Sequence, residues 1–163
     1  MSGIDKQELA RKAQIRLDKY IIGADQKASI LITAQFTLAG LIANVVRVVW
    51  QSFQLPTKAI VGAGFLVAVL SAVCSGLVIY PRSNNPKAGH LYWKDILSRQ
   101  QDEYISDSKS LSDGEAYEEF LSENYELSEI ANKKYVWFRV SIILTGVTIA
   151  LFVVSFASYL LCG

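Results

Sequence analysis

The sequence predicts an all-α integral membrane protein with three transmembrane helices, a hairpin plus a long C-terminal helix, and a helical cytoplasmic region. Its charges are segregated: residues 28–46, 59–80 and 140–162 contain none of the 16 Lys and Arg or 15 Asp and Glu. Each uncharged run is long enough to cross a hydrocarbon core of about 30 Å. Hydrophobic residues also make up 52% of the chain. This partition is typical of membrane proteins.

We predict a single membrane effector domain over residues 1–163. Its parts are a cytoplasmic amphipathic helix over 1–27, transmembrane spans over 28–49, 58–80 and 137–161, and a cytoplasmic helical region over 81–135. No Ala-x-Ala pattern follows the first apolar run, so we expect no cleaved signal peptide, and we expect no appended domain after the last span.

The first element is an amphipathic helix over residues 4–26. Its predicted apolar stripe consists of Leu9, Ala13, Leu17, Tyr20 and Ala24. Such a stripe packs on another cytoplasmic helix or lies on the membrane surface. Gly23 is a candidate flex point between this helix and the first span.

The first span carries polar and small residues on one face. They are Ser29, Thr33, Thr37, Gly40 and Asn44, which lie three or four residues apart. This stripe is a candidate lining for a pore formed by several copies, and helix packing is the alternative.

The second span follows a short link, in which Trp50 and Phe53 suit a membrane interface and Pro56 suits a helix start. Small residues form a stripe that lets another helix approach, and they are Gly64, Ala68, Ser71 and Ser75. Pro81 ends the span. The first two spans are therefore expected to form an antiparallel hairpin.

The third span continues a long helix that starts near a capping box. Ser112 and Glu115 have the required spacing. The heptad-like seam is Tyr117, Phe120, Asn124, Leu127, Ala131, Lys134 and Phe138, and the hydroxyl stripe in the span is Ser141, Thr145, Thr148, Ser155 and Ser158. Before this helix, Asn84, Asn85, Pro86 and Gly89 indicate a loop and a short helix follows it.

The distribution of Lys and Arg predicts the orientation. Residues 1–27 contain six, the hairpin link contains two, and residues 81–139 contain eight. Because cytoplasmic flanks are enriched in these residues, we expect the N-terminus inside and the C-terminus outside.

Catalytic chemistry is not expected. The chain has a single histidine, His90, and it contains no recognisable Ser-His-Asp set, phosphate-loop motif or HExxH motif. Cys74 and Cys162 lie in apolar runs and suit packing, so we predict no metal site. The acidic residues after Ser112 are interpreted as a solvated helix face. A formal charge of +1 argues against a nucleic-acid polymer as partner.

Binding residues are predicted where aromatic and cationic side chains occur together. The candidate ligand-binding set is Arg82, Tyr92, Trp93, Lys94, Lys133 and Lys134. Aromatic rings can stack on a base while cations pair with a phosphate. The alternative for the aromatic pair is ordinary packing and anchoring at the membrane interface.

A second candidate set lies at the cytoplasmic membrane edge, where it could couple a signal to the spans: Asp25, Lys27 and Arg139. A carboxylate at this depth needs a partner, for which Lys133, Lys134 and Arg139 are the candidates. Lys27 has the alternative of extending its ammonium to the interface.

Four short motifs in order along the chain resemble a known family. They are Ala24-Asp25-x-Lys27-Ala28-Ser29, Tyr80-Pro81-Arg82, Leu91-Tyr92-Trp93-Lys94-Asp95-Ile96 and Lys134-Tyr135. The set resembles the Pycsar transmembrane effector family, PycTM, over roughly residues 15–160.

The resemblance implies a bacterial antiphage effector of the inner membrane. It implies that a partner cyclase makes a cyclic pyrimidine nucleotide such as cCMP or cUMP on infection, and that the effector then impairs the lipid bilayer, which is abortive infection. We expect a homo-oligomer without other cofactors. The alternative is a non-enzymatic membrane scaffold or small channel that recruits a cytoplasmic partner.

Overall fold

The computed structural model describes residues 6–80 and 93–162, with the backbone alone for residues 93–95 and 162. Its helices are α1 (Lys6–Val49), α2 (Leu55–Ile79), α3 (Trp93–Ser98), α4 (Gln101–Ser110) and α5 (Asp113–Cys162), with a 3₁₀ turn at Trp50–Ser52 before α2. The described part of the chain contains no strand. The predicted loop at Asn84, Asn85, Pro86 and Gly89 lies outside the described residues.

Three of these helices, α1, α2 and α5, are long and apolar enough to cross a membrane. The all-α, three-span prediction is therefore confirmed, including the long last helix, which has 50 residues. The distribution of side chains agrees with a lipid environment. Large apolar residues such as Ile30, Phe36 and Leu66 are more than 60% exposed, whereas several serines are fully buried. A soluble domain has the opposite distribution.

The chain divides into two units. We call Met1–Ile22 with Pro81–Asn132 the polar unit, and Gly23–Tyr80 with Lys133–Gly163 the apolar unit. Both α1 and α5 contribute to both units, since each is one uninterrupted helix. Gly23 lies inside the uninterrupted α1 and is the first residue of the apolar unit, so its role as a flex point stays a prediction. A Cβ atom added at Gly23 would have no atom within 4 Å, so packing does not require glycine there.

In the polar unit, the N-terminal part of α1 packs on α5. Asn124 Nδ2 donates a hydrogen bond to the Ala10 carbonyl at 2.9 Å. Ala10 is buried while Leu9 and Tyr20 are more than half exposed, so the predicted stripe is wrong at these two positions. The start of α5 is as predicted: Ser112 N–H and its hydroxyl donate to Glu115 Oε2, and Glu115 N–H donates to Ser112 Oγ.

In the apolar unit, α1 and α2 form the predicted antiparallel hairpin and α5 packs on both. One cluster contains Ala24, Ala28 and Val78 with aromatic residues of α5 against it. A second cluster contains Val46, Phe53, Val61 and Phe152. Along each helix, polar residues lie between these two apolar clusters.

Phe53 belongs to the core of the apolar unit, and its predicted depth at the membrane interface stays a prediction. It is 4% exposed, and its ring lies edge-on to that of Tyr159, with centroids 5.3 Å apart. Trp50 remains 40% exposed, and the Lys58 ammonium lies 5.4 Å from its ring centroid. Gly64 permits the close approach of Phe152, because a Cβ added there would lie 3.1 Å from the ring.

Candidate functional site

A buried polar layer joins the three long helices in the middle of the apolar unit. Gln35 of α1 is its centre. Its Nε2 donates to Ser71 Oγ at 2.8 Å and to Thr145 Oγ1 at 2.7 Å, and it lies 3.3 Å from Ser141 Oγ. Ser75 extends the layer through a hydrogen bond between its hydroxyl and that of Ser141. The small stripe of α2 therefore packs against the hydroxyl stripe of α5, as expected for small residues between membrane helices.

The hydroxyl protons of this layer have carbonyl acceptors. Ser71 donates to the Ser141 carbonyl at 2.8 Å, and Ser141 donates back to the Ser71 carbonyl at 3.0 Å. Thr145 donates to the Ser141 carbonyl at 2.9 Å. The hydroxyl oxygens are then available as acceptors, so the amide nitrogen of Gln35 faces them. This orientation leaves Gln35 Oε1 buried without a hydrogen-bond partner among the described residues.

Sequence reasoning identified the hydroxyl residues of this layer but missed Gln35. The available signal was the presence of a long amide in a charge-free run, on the helix face opposite Ser29 and Thr33. A side chain with two donors and two acceptors is costly in hydrocarbon, so it requires partners on neighbouring helices.

The predicted polar stripe of α1 lies on the outer surface of the apolar unit. All five residues, Ser29, Thr33, Thr37, Gly40 and Asn44, are exposed. Each of the four polar side chains donates to the carbonyl four residues earlier, at 2.9 to 3.0 Å. Within one copy the stripe does not pack on another span, so the packing alternative is limited to contacts between copies. Its role as a pore lining stays a prediction.

An ion pair ties the three long helices together at one end of the apolar unit. Lys134 of α5 donates to Asp25 Oδ1 of α1 and, at 2.8 Å, to the Val78 carbonyl of α2. Lys134 was one of the three partners considered for Asp25. The Val78 carbonyl is available to the Lys134 ammonium because Val78 lies in the last turn of α2, where carbonyls have no partner within the helix. Lys27 and Arg139, the other predicted edge residues, are exposed.

The predicted ligand-binding residues are only partly described. Arg82 and Tyr92 lie outside the described residues, as do the side chains of Trp93 and Lys94, whose backbone begins α3. Lys133 is exposed and Lys134 is buried in its ion pair. A nucleotide could therefore reach the Lys134 ammonium only if the contacts with Asp25 and Val78 were replaced. The ligand role of this set stays a prediction.

The acidic face of α5 is less solvated than predicted. Burial and the neighbouring carboxylates of Glu126, Asp18 and Glu119 raise the pKa of Glu123. Glu115 is different, because hydrogen bonds from the backbone and then the hydroxyl of Ser112 lower its pKa. In the described part of the chain, no group of three or more His, Cys, Asp or Glu residues is arranged to hold a metal ion.

Comparison with known proteins gives the family. Residues 9–161 match PycTM, the Pycsar effector protein domain. The chain belongs to the Pycsar effector family. This confirms the resemblance predicted from the four sequence motifs and indicates a membrane effector of antiphage defence.

A relative covers nearly the whole chain. The Pycsar effector protein SaPycTM of Staphylococcus aureus is 24% identical over 160 residues, which are 97% of this chain and 99% of the relative. No solved structure matches the chain. The PycTM match includes the polar layer around Gln35, the outer stripe of α1 and the ion pair of Lys134, so all three features lie within the effector domain.

Proposed function

We propose that this Pycsar effector responds to a cyclic mononucleotide, such as cCMP or cUMP from a partner cyclase, by oligomerising and impairing the bacterial inner membrane. The infected cell then dies or stops growing before the phage matures. The observation that carries the proposal is the exposed polar stripe of α1 on a surface that otherwise presents apolar side chains. We expect the N-terminus in the cytoplasm and the C-terminus outside.

The stripe suits a protein that is stable alone and assembles on activation. Its three hydroxyl protons and one amide proton of Asn44 are bonded to carbonyls of the same helix, so a single copy tolerates lipid contact. The free lone pairs of the same oxygens can still accept hydrogen bonds from water or from another copy. A single copy has its interior filled by the Gln35 layer and two apolar clusters, so the pathway through the membrane forms between copies.

The ion pair of Lys134 supplies a means of control. It fixes α1, α2 and α5 at one level, and α1 and α5 continue from there into the polar unit. A ligand shifts the population only if it binds one arrangement of these helices better than the other. Nucleotide binding is therefore expected to favour an arrangement in which the outer stripes of several copies meet, with Lys27 and Arg139 at the membrane edge.

Leakage from liposomes tests the proposal. Purified protein is reconstituted in liposomes that contain a self-quenched dye, and cAMP, cGMP, cCMP and cUMP are added separately. We expect dye release with one pyrimidine nucleotide and intact vesicles without nucleotide. Vesicles that stay intact with all four nucleotides would refute the proposal.

Two double variants separate a pore lining from a contact between copies. Thr33→Leu with Thr37→Leu removes both hydroxyls, and Thr33→Ser with Thr37→Ser retains them as a matched control. If the leucine variant still assembles, as measured by crosslinking, but no longer releases dye, the stripe lines a pore. If it no longer assembles, the stripe is a contact between copies. Assembly without dye release in the wild-type protein would favour a membrane scaffold instead.

A further inference from the structure

We propose that the cyclic mononucleotide binds in a cleft of the polar unit, between the N-terminal turns of α1 and α5. This inference rests on the proposed function and assigns its ligand site. The cleft has a volume of about 520 Å³, and Arg11 of α1 faces Tyr117 and Phe120 of α5 across it. Its size lies within the range of about 300 to 1,000 Å³ found for small-molecule sites.

The cleft follows from the side chains on the facing turns. On α5, Tyr117 and Phe120 are three residues apart and therefore share a face. The small side chain of Ala116 lies beside Tyr117 on the same wall. Because a methyl group fills little of the space between two helices, the aromatic rings and Arg11 border an open volume.

The groups that border the cleft have unused binding capacity. Among the described residues, Arg11 has no carboxylate partner, the Tyr117 hydroxyl has no hydrogen bond, and neither aromatic ring stacks on another. Glu8, on the same wall as Arg11, is paired instead with Lys12 at 2.6 Å. Elsewhere the chain does pair its aromatic residues, as Phe65 and Phe152 show with centroids 5.1 Å apart.

These groups match the parts of a cyclic mononucleotide. A 3′,5′-cyclic phosphate carries one negative charge, which one guanidinium can bind in a bidentate manner. An aromatic face stacks on a base, which contributes affinity for any base. The carboxylate of Asp113, which also lines the cleft, can accept the amino protons of cytosine or the N3–H of uracil. A ligand with several phosphates lacks enough cations here, so a mononucleotide is favoured over an oligonucleotide.

Direct binding to the full-length protein in detergent tests this assignment. Affinities for cAMP, cGMP, cCMP and cUMP are measured by isothermal titration for the wild type, Arg11→Gln and Tyr117→Leu. We expect Arg11→Gln to weaken binding of the preferred nucleotide by about tenfold or more, because a charge-assisted hydrogen bond is lost. Tyr117→Leu is expected to weaken binding by a similar factor through loss of stacking.

Two further variants separate this cleft from other cationic positions. Arg16→Gln removes an exposed cation of α1 that does not line the cleft, and it is the control, expected to bind within about twofold of the wild type. Arg82→Gln removes a cation of the ligand-binding set predicted from sequence, so it tests that set against the cleft. Thermal melts confirm that every variant is folded.

The outcomes distinguish this inference from the proposed function. If the wild type binds a nucleotide and Arg11→Gln and Tyr117→Leu bind it equally well, the cleft assignment is wrong while the proposed function stands. Loss of binding in Arg82→Gln alone would likewise overturn the cleft assignment and leave the proposed function intact. If the wild type binds none of the four nucleotides, the proposed function fails and this inference fails with it.

Discussion

Removing Asp25 is expected to destabilise the protein more than removing its partner Lys134. The Lys134 side chain is 7% exposed and that of Asp25 is 34% exposed. Asp25→Ala leaves a buried ammonium with only the Val78 carbonyl, and an uncompensated buried charge costs about 3–5 kcal/mol. Lys134→Met leaves a carboxylate that water can reach and one carbonyl without a donor, which costs about 1–3 kcal/mol.

The double variant measures the coupling free energy between Asp25 and Lys134. Asp25→Ala with Lys134→Met leaves no unpaired charge, so its loss of stability is expected to be smaller than the sum of the single losses by about 1–3 kcal/mol. Lys27→Met, at an exposed position two residues after Asp25, is the control and should change stability by less than about 0.5 kcal/mol.

The assay is unfolding in detergent micelles at constant composition, followed by tryptophan fluorescence. The wild type and all the variants are compared at the same pH and ionic strength, because a partly exposed ion pair is screened by salt. The reasoning is refuted if Lys134→Met costs more than Asp25→Ala, or if the single losses add in the double variant. Either result would mean that the ammonium does not depend on Asp25 in the folded protein.

Three further predictions concern packing and charge. Gln35→Met should change the free energy of unfolding by less than about 1 kcal/mol. The two amide protons lose interhelical hydrogen bonds of about 0.6 kcal/mol each, while an unpartnered acceptor that costs about 1–3 kcal/mol is removed. A denaturation curve shifted by more contradicts this. Gly64→Leu should cost about 1–3 kcal/mol through overpacking against Phe152, and Phe152→Ala in the same chain should recover part of it in thermal melts. Glu123→Gln should stabilise the protein at pH 7 by less than about 1 kcal/mol, whereas the exposed Glu118→Gln should not. Since the Glu123 pKa is raised in the folded state, stability falls as pH rises above the ordinary value of 4.5, and the advantage of glutamine should vanish below that pH.

The spans, the hairpin and the long last helix were predictable from sequence, because charge segregation and helical spacing depend on local residues. The capping box of Ser112 and Glu115 was predictable for the same reason: its two members are three residues apart. The pairing of Asp25 with one of three cations could also be predicted from sequence, since a carboxylate at a membrane edge needs a partner.

What the sequence did not determine is the rotation of each helix about its axis. The outer stripe of α1 and the face that carries Gln35 are both polar, and only packing decides which one turns inward. The same limit explains why Leu9 was assigned to the inner face of α1 in place of Ala10. Periodicity gives the spacing of a face but leaves an uncertainty of about one residue in its direction. The burial of Phe53 was not predicted because its partners, Val46 and Phe152, lie on α1 and α5.

The two polar faces of α1 have different physical consequences. The Gln35 face takes part in hydrogen bonds between helices. Gln35 donates to hydroxyl oxygens, and the hydroxyl groups of Ser71 and Ser141 donate to carbonyls, so these bonds hold three helices in one register. The outer face is satisfied only through its own helix, so it can gain contacts without breaking any between helices. If copies assemble as proposed, contact through the outer face is therefore expected to have a lower barrier than rearrangement of the Gln35 layer. An activated form is accordingly expected to keep the Gln35 layer of each copy and to differ at the Lys134 end of the helices and in how copies associate.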